Sequence, residues 1–289
     1  MVNLDLLQKI KRLTISALVA DDILMGILVL KGGNALDLAY DISNRGSIDI
    51  DFSMEKDFTE EEKGRIGNQV SSLLKNEFIK VGLSVFDVKF YEKPNKIEDA
   101  VKSFWGGYCL EFKTIAIEKQ EALGEDLDQL RRNAIVIASN NSTKFEVDIS
   151  KYEYVGKKRP KDIEGATVYV YSPEMLAIEK LRALCQQVAE YKDVVLHMTP
   201  KSRARDFYDI YNLSQAFDLD FASGENLELT KHIFEAKRVP LSYIKKLEDY
   251  REHHWQSWES VLGTISQKEH PKDFDFYFNF VIEKFKHLT

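Results

Sequence analysis

Polar and apolar side chains alternate without a break between residues 47 and 52, and this pattern constrains the chain more than any other. A period of two predicts a β-strand with one apolar face, so Asp49 and Asp51 project side by side from the polar face. Adjacent carboxylates repel each other at neutral pH unless a cation neutralises them. Two interpretations follow: a solvated strand at a sheet edge, which is the commoner use of a D-x-D pair, or a site for Mg²⁺, which prefers hard oxygen ligands.

A glycine pair lies upstream of these aspartates. The apolar run at 26–31 predicts a short buried strand ending in Lys31, and Gly32-Gly33 leads from it into a short helix predicted over 34–41. Glycines let a phosphate approach the backbone, and the first turn of a helix offers free N–H groups. The alternative is a tight turn that requires positive φ. Lysine precedes the glycines and no Ser or Thr follows them, so the segment is not a Walker A loop.

A third acid follows the same pattern further along the chain. Residues 144–150 alternate between polar and apolar side chains, so Asp148 projects from one face of a second strand. Beside Asp49 and Asp51 it would complete a two-metal site, in which one metal holds a triphosphate and the other activates an attacking hydroxyl. Asp148 would serve there as a third ligand or as a base.

The rest of the first half predicts the fold class. A capping box at 59–62 begins a long helix that runs to about Val81. Further strands are predicted at 84–92, 107–117 and 133–138. Strands this close in sequence cannot all be parallel, so we expect an α/β (α+β) fold with a mixed sheet and helices.

Composition changes in the second half. Ser172 is suited to an N-cap and Pro173 to the first position of a helix, and the pattern from there on is helical. An apolar stripe on this helix comprises Met175, Ile178, Leu181 and Cys185. Two later helices are predicted at 241–262 and 273–287. We therefore expect a domain with the sheet at 1–172 and a helical bundle at 173–289 that contributes to a shared cleft.

Bulk properties bear on the class of function and on location. The net charge of −7 argues weakly against a non-specific nucleic-acid binder, although basic clusters at 157–161 and 201–205 face either solvent or a phosphate. Cys109 and Cys185 suggest no disulfide framework. The apolar stretch at 15–20 is too short for a signal peptide or a membrane span. We expect a cytoplasmic protein that does not enter a membrane.

Three blocks of sequence occur in an informative order: KGGNAL with RGSIDIDF, then SPEMLAIEKLRAL, then RARDFYDIY. Together they resemble the AbiEii-type nucleotidyltransferase toxins, the MenT proteins among them, which belong to the DNA polymerase β-like nucleotidyltransferase superfamily. The resemblance covers about residues 28–215, and the order of the blocks is far more specific than any single block. It implies a polymerase-β-like nucleotidyltransferase domain followed by the helical domain.

The resemblance also implies roles for individual residues. The glycine pair matches the loop that lies against the triphosphate, and the D-x-D pair matches the metal ligands. The predicted catalytic residues are Asp49, Asp51, Lys180 and Asp206. The predicted metal ligands are Asp49 and Asp51, and the strand pattern adds Asp148. The predicted nucleotide-binding residues are Lys31, Gly32, Gly33, Asn34, Arg45 and Ser47. The commoner superfamily loop is Gly-Ser, and Asn34 here offers an amide that can still donate to a phosphate.

The residues themselves leave alternatives open. Lys180 lies on the side of its helix away from the apolar stripe, where its ammonium reaches a cleft or pairs with a neighbouring acid. Asp206 and Asp209 lie one helical turn apart, and they are either site residues or part of a salt-bridge network between two helices. Arg45 either clamps a phosphate or pairs with Asp41.

The resemblance implies a Mg²⁺-dependent enzyme that transfers a nucleoside monophosphate from an NTP to an acceptor hydroxyl and releases pyrophosphate. In the family the acceptor can be the 3′ end of tRNA, so we expect a type IV toxin–antitoxin toxin whose partners are an RNA acceptor and an antitoxin protein encoded nearby. Nucleotidylation of a small molecule or a protein is the alternative that the acidic net charge favours. A non-catalytic nucleotide-binding module is the other, and the intact D-x-D pair and lysine argue against it.

Overall fold

The structure is a computed structural model that describes residues 4–42, 49–137, 141–265 and 270–288. Seven strands within these ranges form one sheet in the order β3-β4-β5-β2-β1-β7-β6. Their bounds are Val29–Lys31 (β1), Ile50–Ser53 (β2), Leu83–Lys93 (β3), Gly107–Ala116 (β4), Phe145–Ser150 (β5), Arg159–Ile163 (β6) and Ala166–Val170 (β7). The pairs β1·β7 and β2·β5 are parallel and the other neighbours are antiparallel. The predicted α/β fold with a mixed sheet is confirmed.

The long helix of the first half forms as its capping box predicts. Thr59 N–H donates to Glu62 Oε2 at 2.8 Å, and Glu62 N–H donates to Thr59 Oγ1 at 3.3 Å, at the start of α4 (Glu60–Ile79). Four side chains at a spacing of four residues are buried along it: Ile66, Val70, Leu74 and Phe78. This face packs on β3 and on α1 (Leu4–Val19), which also contacts β7.

The two faces of the central strands have opposite environments. Phe52 in β2 and Val147 in β5 are fully buried in the apolar core. Because successive side chains of a strand point to opposite faces, Asp51 and Asp148 project away from that core. The polar face of β2 and β5 is therefore the one on which a site can form.

The prediction of a single strand over the apolar run at 26–31 is wrong. The run forms the end of a helix followed by a shorter strand. α2 (Asp22–Ile27) begins at Asp21, whose side chain accepts from Leu24 N–H at 2.9 Å. Only the last three residues of the run pair with neighbouring strands, as β1. The glycine pair then opens α3 (Gly32–Asn34), which continues as a π-helix over Ala35–Ala39. The helix predicted over 34–41 is thus confirmed.

The strand predicted at 133–138 is absent from residues 133–137, and residue 138 lies outside the described ranges. Asn133 ends α6 (Leu127–Arg132), which follows α5 (Ile117–Leu123). Both edges of the nearby β4 are already paired, with β3 and β5. Ile135 N–H in this segment donates to Thr114 O at 2.9 Å, and Ile137 N–H donates to Ser142 O at 2.8 Å. The other strands predicted in this half, at 84–92, 107–117 and 144–150, are confirmed.

The second half is helical from Ser172 onwards. Ser172 Oγ accepts from Met175 N–H at 3.3 Å and Pro173 occupies the first turn, as predicted. The helices are α7 (Pro173–Cys185), α8 (Ala204–Phe217), α9 (Gly224–Glu235), α10 (Tyr243–Lys246), α11 (Arg251–Trp255), α12 (Trp258–Leu262) and α13 (Phe274–Phe285), with 3₁₀ turns at Ala189–Asp193, Leu247–Tyr250 and Lys286–Leu288. The segment 241–262 is therefore a series of short helices and not the single helix predicted. The apolar stripe of α7 is fully buried.

The core is continuous across the proposed domain boundary. One cluster of buried apolar side chains includes Phe52 and Val147 from the sheet together with Ile178 and Phe207 from α7 and α8. The division into 1–172 and 173–289 stays a prediction. In the described part of the chain, no helix combines the length and the apolar character that crossing a membrane requires.

Candidate active site

Two of the predicted acids lie side by side on neighbouring strands. Asp51 of β2 and Asp148 of β5 are Cα partners in a parallel, in-register pair, and Asp49 lies one residue before β2. Side chains at paired positions of parallel strands share a face, so these two carboxylates point the same way. The structure thus brings Asp148 next to the D-x-D pair, as the strand pattern predicted.

Two cavities meet at Asp51. The first, of about 260 Å³, is lined by Gly32, Gly33, Asp49 and Lys180 among others, and we call it the glycine-loop cavity. The second, of about 340 Å³, contains Asp148 and Trp105 in its wall, and we call it the tryptophan cavity. Asp51 lines both, so its carboxylate forms part of the boundary between them.

The electrostatic environment of the D-x-D pair is unfavourable to negative charge. Burial raises the pKa of Asp51 to about 6, and Asp148, Glu179 and Asp49 add to the rise while Lys31 opposes it. Loss of hydration followed by Asp148 likewise raises the pKa of Asp49. Arg205 and Lys93 oppose the rise at Asp49, as Lys31 does at Asp51, but these cations do not balance the effects of burial and of the neighbouring acids. A divalent cation would correct that imbalance.

The glycine loop lies directly against Asp51. Gly32 has φ +68°, and a Cβ built on it would lie 2.6 Å from Asp51 Oδ2. Both the conformation and the contact require glycine at this position. A turn that needs positive φ, one of the two interpretations of the glycine pair, is therefore present. The same loop also forms part of the wall of the glycine-loop cavity.

Asn34 does not take the position expected from its place in the loop. Its side chain is fully buried, its amide nitrogen donates to the backbone carbonyl of Asp49, and it lines neither cavity. The amide is thus used inside the fold, where it fixes the backbone next to the D-x-D pair. The predicted contact between this amide and a phosphate is corrected accordingly.

Lys31 is a buried cation between the two cavities. Its Nζ lies 3.6 Å from a carboxylate oxygen of Glu153 and 3.6 Å from one of Glu179, and it donates to Ser150 Oγ at 3.3 Å. Burial alone would lower the pKa of Lys31, but Glu153 and Glu179 outweigh it and raise the pKa above the ordinary value. Lys31 is therefore charged and held by these glutamates.

Lys180 joins α7 to α8 at the edge of the glycine-loop cavity. Its Nζ lies 3.0 Å from Asp206 Oδ1 and 2.7 Å from Asp209 Oδ2, and all three side chains are buried. Burial would raise the pKa of Asp206, but Arg203 and Lys180 hold it well below its usual range. A salt-bridge network between the two helices therefore exists, and Lys180 and Asp206 belong both to it and to the cavity wall.

Comparison with known proteins identifies the family. The sequence model of a family described as "Nucleotidyl transferase AbiEii toxin, Type IV TA system" matches residues 16–280. The chain belongs to this AbiEii family. It is accordingly a nucleotidyltransferase of the toxin class of type IV toxin–antitoxin systems, and the resemblance seen in the three sequence blocks is confirmed.

Two solved structures are similar to the AbiEii-family chain in fold. A candidate nucleotidyltransferase from H. pylori aligns with a TM-score of 0.48 and 16% identity, over 98% of this chain and 92% of that one. An antigenic nucleotidyltransferase-like protein from Paracoccidioides brasiliensis aligns with a TM-score of 0.39 and 15% identity, over 84% and 92%. Both TM-scores are below 0.5, so neither carries an argument about function. No curated protein matches the chain.

One basic cluster of the AbiEii-family protein reaches the site and the other does not. Arg203 and Arg205 line the glycine-loop cavity. In the cluster at 157–161, Lys157 pairs with Glu225 at 2.7 Å, outside both cavities. Of the predicted nucleotide-binding residues, Arg45 and Ser47 lie outside the described residues.

The described ranges contain another group of potential metal ligands, whose ligand atoms lie closer together than those of the three aspartates. The ligand atoms of Cys109, Glu111 and Glu146 lie within 4.8 Å of one another. Lys144 pairs with both glutamates, at 2.8 and 2.6 Å, and Lys93 likewise pairs with Asp148 at 2.8 Å, so it is the ligand atoms that distinguish the two groups. The aspartates are spaced more widely but offer only carboxylate oxygens, with raised pKa values at two of them. That donor set fits Mg²⁺, which takes one or two carboxylates together with substrate phosphates.

Sequence reasoning missed the charged residues behind the site. Arg182 pairs with Glu153 at 3.0 Å and with Glu179 at 3.1 Å, and Lys237 lies 3.5 Å from Glu153. With Lys31 these four residues form what we call the buried charge network. Its only signal in the sequence is the charged segment around Lys180 on an otherwise apolar helix.

Proposed function

We propose that this protein uses Mg²⁺ to transfer a nucleoside monophosphate from an NTP to an acceptor hydroxyl, with release of pyrophosphate. One observation carries the proposal: Asp51 and Asp148 are paired in register beside a glycine loop, and the pKa of Asp51 is raised to about 6. Carboxylates so placed are suited to a metal that is shared with a triphosphate.

In this proposal Asp49 and Asp51 would hold the metal, and Asp148 beside them would be its third ligand or the base. When bound, Mg²⁺ neutralises charge on the triphosphate and favours ionisation of the acceptor hydroxyl. The acceptor oxygen forms a bond to the α-phosphorus, the bond from that phosphorus to the bridging oxygen breaks, and pyrophosphate leaves. Asp148, at the side of the tryptophan cavity, accepts the hydroxyl proton.

The proposed triphosphate site is the glycine-loop cavity. Gly32 and Gly33 give backbone access without side chains, and Lys180, Arg203 and Arg205 supply positive charge in the same wall. The bonds from Lys180 and Arg203 to Asp206 fix where these cations lie. Asp206 is in this view a positioning residue for them.

The proposed acceptor is an RNA, specifically the 3′ end of tRNA, as the family resemblance implies. The proposed setting is the cytoplasm, with a cognate antitoxin protein that restrains the enzyme. The net charge of −7 favours a second candidate, nucleotidylation of a small molecule or a protein, because an acidic surface does not attract RNA at long range.

A labelling experiment separates these acceptors. The protein is incubated with Mg²⁺, total RNA and each of the four α-labelled NTPs, next to the Asp51→Asn variant. Label on tRNA that is absent with Asp51→Asn supports the proposal. Label on protein or on a small molecule supports the second candidate. Absence of transfer from all four nucleotides, in a protein that still binds them, would leave a non-catalytic binding module.

A further inference from the structure

The tryptophan cavity has no role in the triphosphate site proposed above. It lies on the other side of Asp51, shares Lys31 and Arg203 with the glycine-loop cavity, and adds Asp148 to its wall. A volume of about 340 Å³ lies within the range of small-molecule sites, roughly 300–1,000 Å³. Whatever occupies it would contact the carboxylates at which the proposed reaction takes place.

Five cations and four carboxylates line this wall. Each of its cations lies close to a carboxylate: Lys31 to Glu153 and Glu179 (3.6 Å each), Lys93 to Asp148 (2.8 Å), Arg182 to Glu153 (3.0 Å), Lys237 to Glu153 (3.5 Å) and Arg203 to Asp206. Three of these cations share Glu153, so the ion pairs hold the charged side chains in place without neutralising every one of them. Lys31 and Arg203 also line the glycine-loop cavity, so it is the uncharged part of the wall that distinguishes the tryptophan cavity.

The rest of the wall offers an aromatic ring, backbone and an amide. Trp105 is half-buried, and its ring contacts Tyr191 at a centroid distance of 6.3 Å. The next two residues are glycines whose added Cβ atoms would clash with Ile97 and with the backbone of Ile149, so the wall beside the indole carries no side chain there. Gln186, at the end of α7, contributes an amide whose nitrogen donates to Tyr191 Oη at 3.1 Å.

We propose that the tryptophan cavity binds a nucleoside, with its base stacked on the indole of Trp105 and its ribose directed towards Asp51 and Asp148. A flat ring stacks on an aromatic side chain without needing charge, and every nucleobase has such a face. This inference rests on the proposed function, since only a nucleotidyl transfer brings a nucleoside to these carboxylates. Two nucleosides share this chemistry: that of the incoming NTP and the terminal nucleoside of an RNA acceptor.

The test compares Trp105→Ala with Trp105→Phe, which keeps an aromatic ring. The matched control is Trp255→Ala, at an exposed tryptophan outside both cavities. Calorimetric titrations use each NTP and inorganic tripolyphosphate in the presence of Mg²⁺. We expect Trp105→Ala to weaken NTP binding about 10- to 100-fold. Tripolyphosphate binding should not change, Trp105→Phe should lose much less, and Trp255→Ala should match the wild type.

The kinetic arm distinguishes the two sources of the nucleoside. If NTP binding by Trp105→Ala is normal but the KM for RNA in the transfer assay rises by a similar factor, the cavity holds the acceptor's nucleoside. Normal NTP binding together with a normal KM for RNA in a folded Trp105→Ala protein would overturn the inference.

Fluorescence provides a second readout if Trp105→Ala does not fold. Addition of the bound nucleotide or RNA should change the tryptophan emission of the wild type, and that change should disappear in Trp105→Phe. Persistence of the change in Trp105→Phe would contradict stacking on residue 105. Wild-type protein that transfers no nucleotide would instead contradict the proposed function, and the titrations would still decide whether the cavity binds a nucleoside.

Discussion

Glu153 and Asp51, two acids close to Lys31, have pKa values that are shifted in opposite directions. Burial would raise the pKa of Glu153, but Arg182, Lys237 and Lys31 outweigh it and lower that pKa to about 2. Burial also raises the pKa of Asp51, and there the opposing effect of Lys31 is too small to outweigh it, so the pKa reaches about 6. Burial acts on both acids in the same direction, and the neighbouring cations outweigh it only at Glu153.

This difference separates a structural role from a chemical one. The buried charge network contains its own counter-ions, so each glutamate is ionised at neutral pH and bonded in place. Such a network adds little net stability but is costly to break. The D-x-D pair is left with unfavourable charge, an arrangement found where a site is adapted to a cation or a reacting group. The experiments below test that distinction.

The largest effect is expected from Asp51→Asn in the transfer assay. Removal of a carboxylate that holds the metal should lower kcat/KM roughly 10⁴-fold, or about 5.4 kcal/mol in activation free energy. Thermal stability should be unchanged or slightly higher, because the substitution removes a repelled negative charge. The measurement is incorporation of labelled nucleotide together with a melting curve.

The matched control for this variant is Asp87→Asn. Asp87 lies in β3 of the same sheet, bonded to Arg131 at 2.6 and 2.9 Å and outside both central cavities. Its substitution should leave transfer unchanged. An Asp51→Asn enzyme with more than a tenth of wild-type activity would show that the D-x-D pair does not hold an essential metal.

The next largest effect is expected on stability, from Glu153→Gln. In this variant Glu179 is the remaining acid of the network, facing Arg182, Lys237 and Lys31. Loss of one partner from a buried ion pair lowers the free energy of unfolding by about 4 kcal/mol. Urea unfolding at pH 7 measures this. Glu225→Gln, which breaks the exposed pair with Lys157, is the control and should show no measurable change.

The same variant should change the response to acid. The pKa of Glu153 falls from 4.5 to about 2 on folding, so its stabilising contribution is complete above about pH 4.5 and is lost as the pH falls through about 2. The gap in unfolding free energy between wild type and Glu153→Gln should therefore shrink over that interval. A gap independent of pH would mean that the glutamate is not ionised in the folded protein.

The smallest effect is expected from Mg²⁺ itself. A ligand at ten times its Kd stabilises the folded state by about 1.4 kcal/mol. The melting temperature of the wild type and of Glu153→Gln should both rise when Mg²⁺ is added, and that of Asp51→Asn should not. Equal shifts in all three proteins would place the binding of Mg²⁺ away from the D-x-D pair.

Local pattern was sufficient for the strands that alternate. The strand at 144–150 has one apolar and one polar face along its whole length, and such a period identifies a half-buried strand, whereas the alternation at 84–92 and 107–117 is only partial. The segments at 26–31 and 133–138 are continuous apolar runs. Such a run has no polar face, so its pattern does not distinguish helix, strand and loop.

The site was predictable only where a motif or a strand face marked it. Asp51 and Asp148 each stood on a polar strand face, and the sheet order, which sequence does not specify, then made them neighbours. No local sequence pattern marks Glu153 or Trp105, because their roles depend on contacts with residues that are distant in sequence. Glu153, for example, pairs with Arg182. The position of Asn34 also depended on a contact that the loop motif does not encode.

The in-register pairing of β2 with β5 limits how the length of this chain can vary. A single residue inserted into either strand would turn the following side chains to the opposite face. Asp51 or Asp148 would then point into the apolar core, and Phe52 or Ile149 would replace it at the cavities. We therefore expect insertions and deletions among related chains to fall in the connections between strands and never within these two.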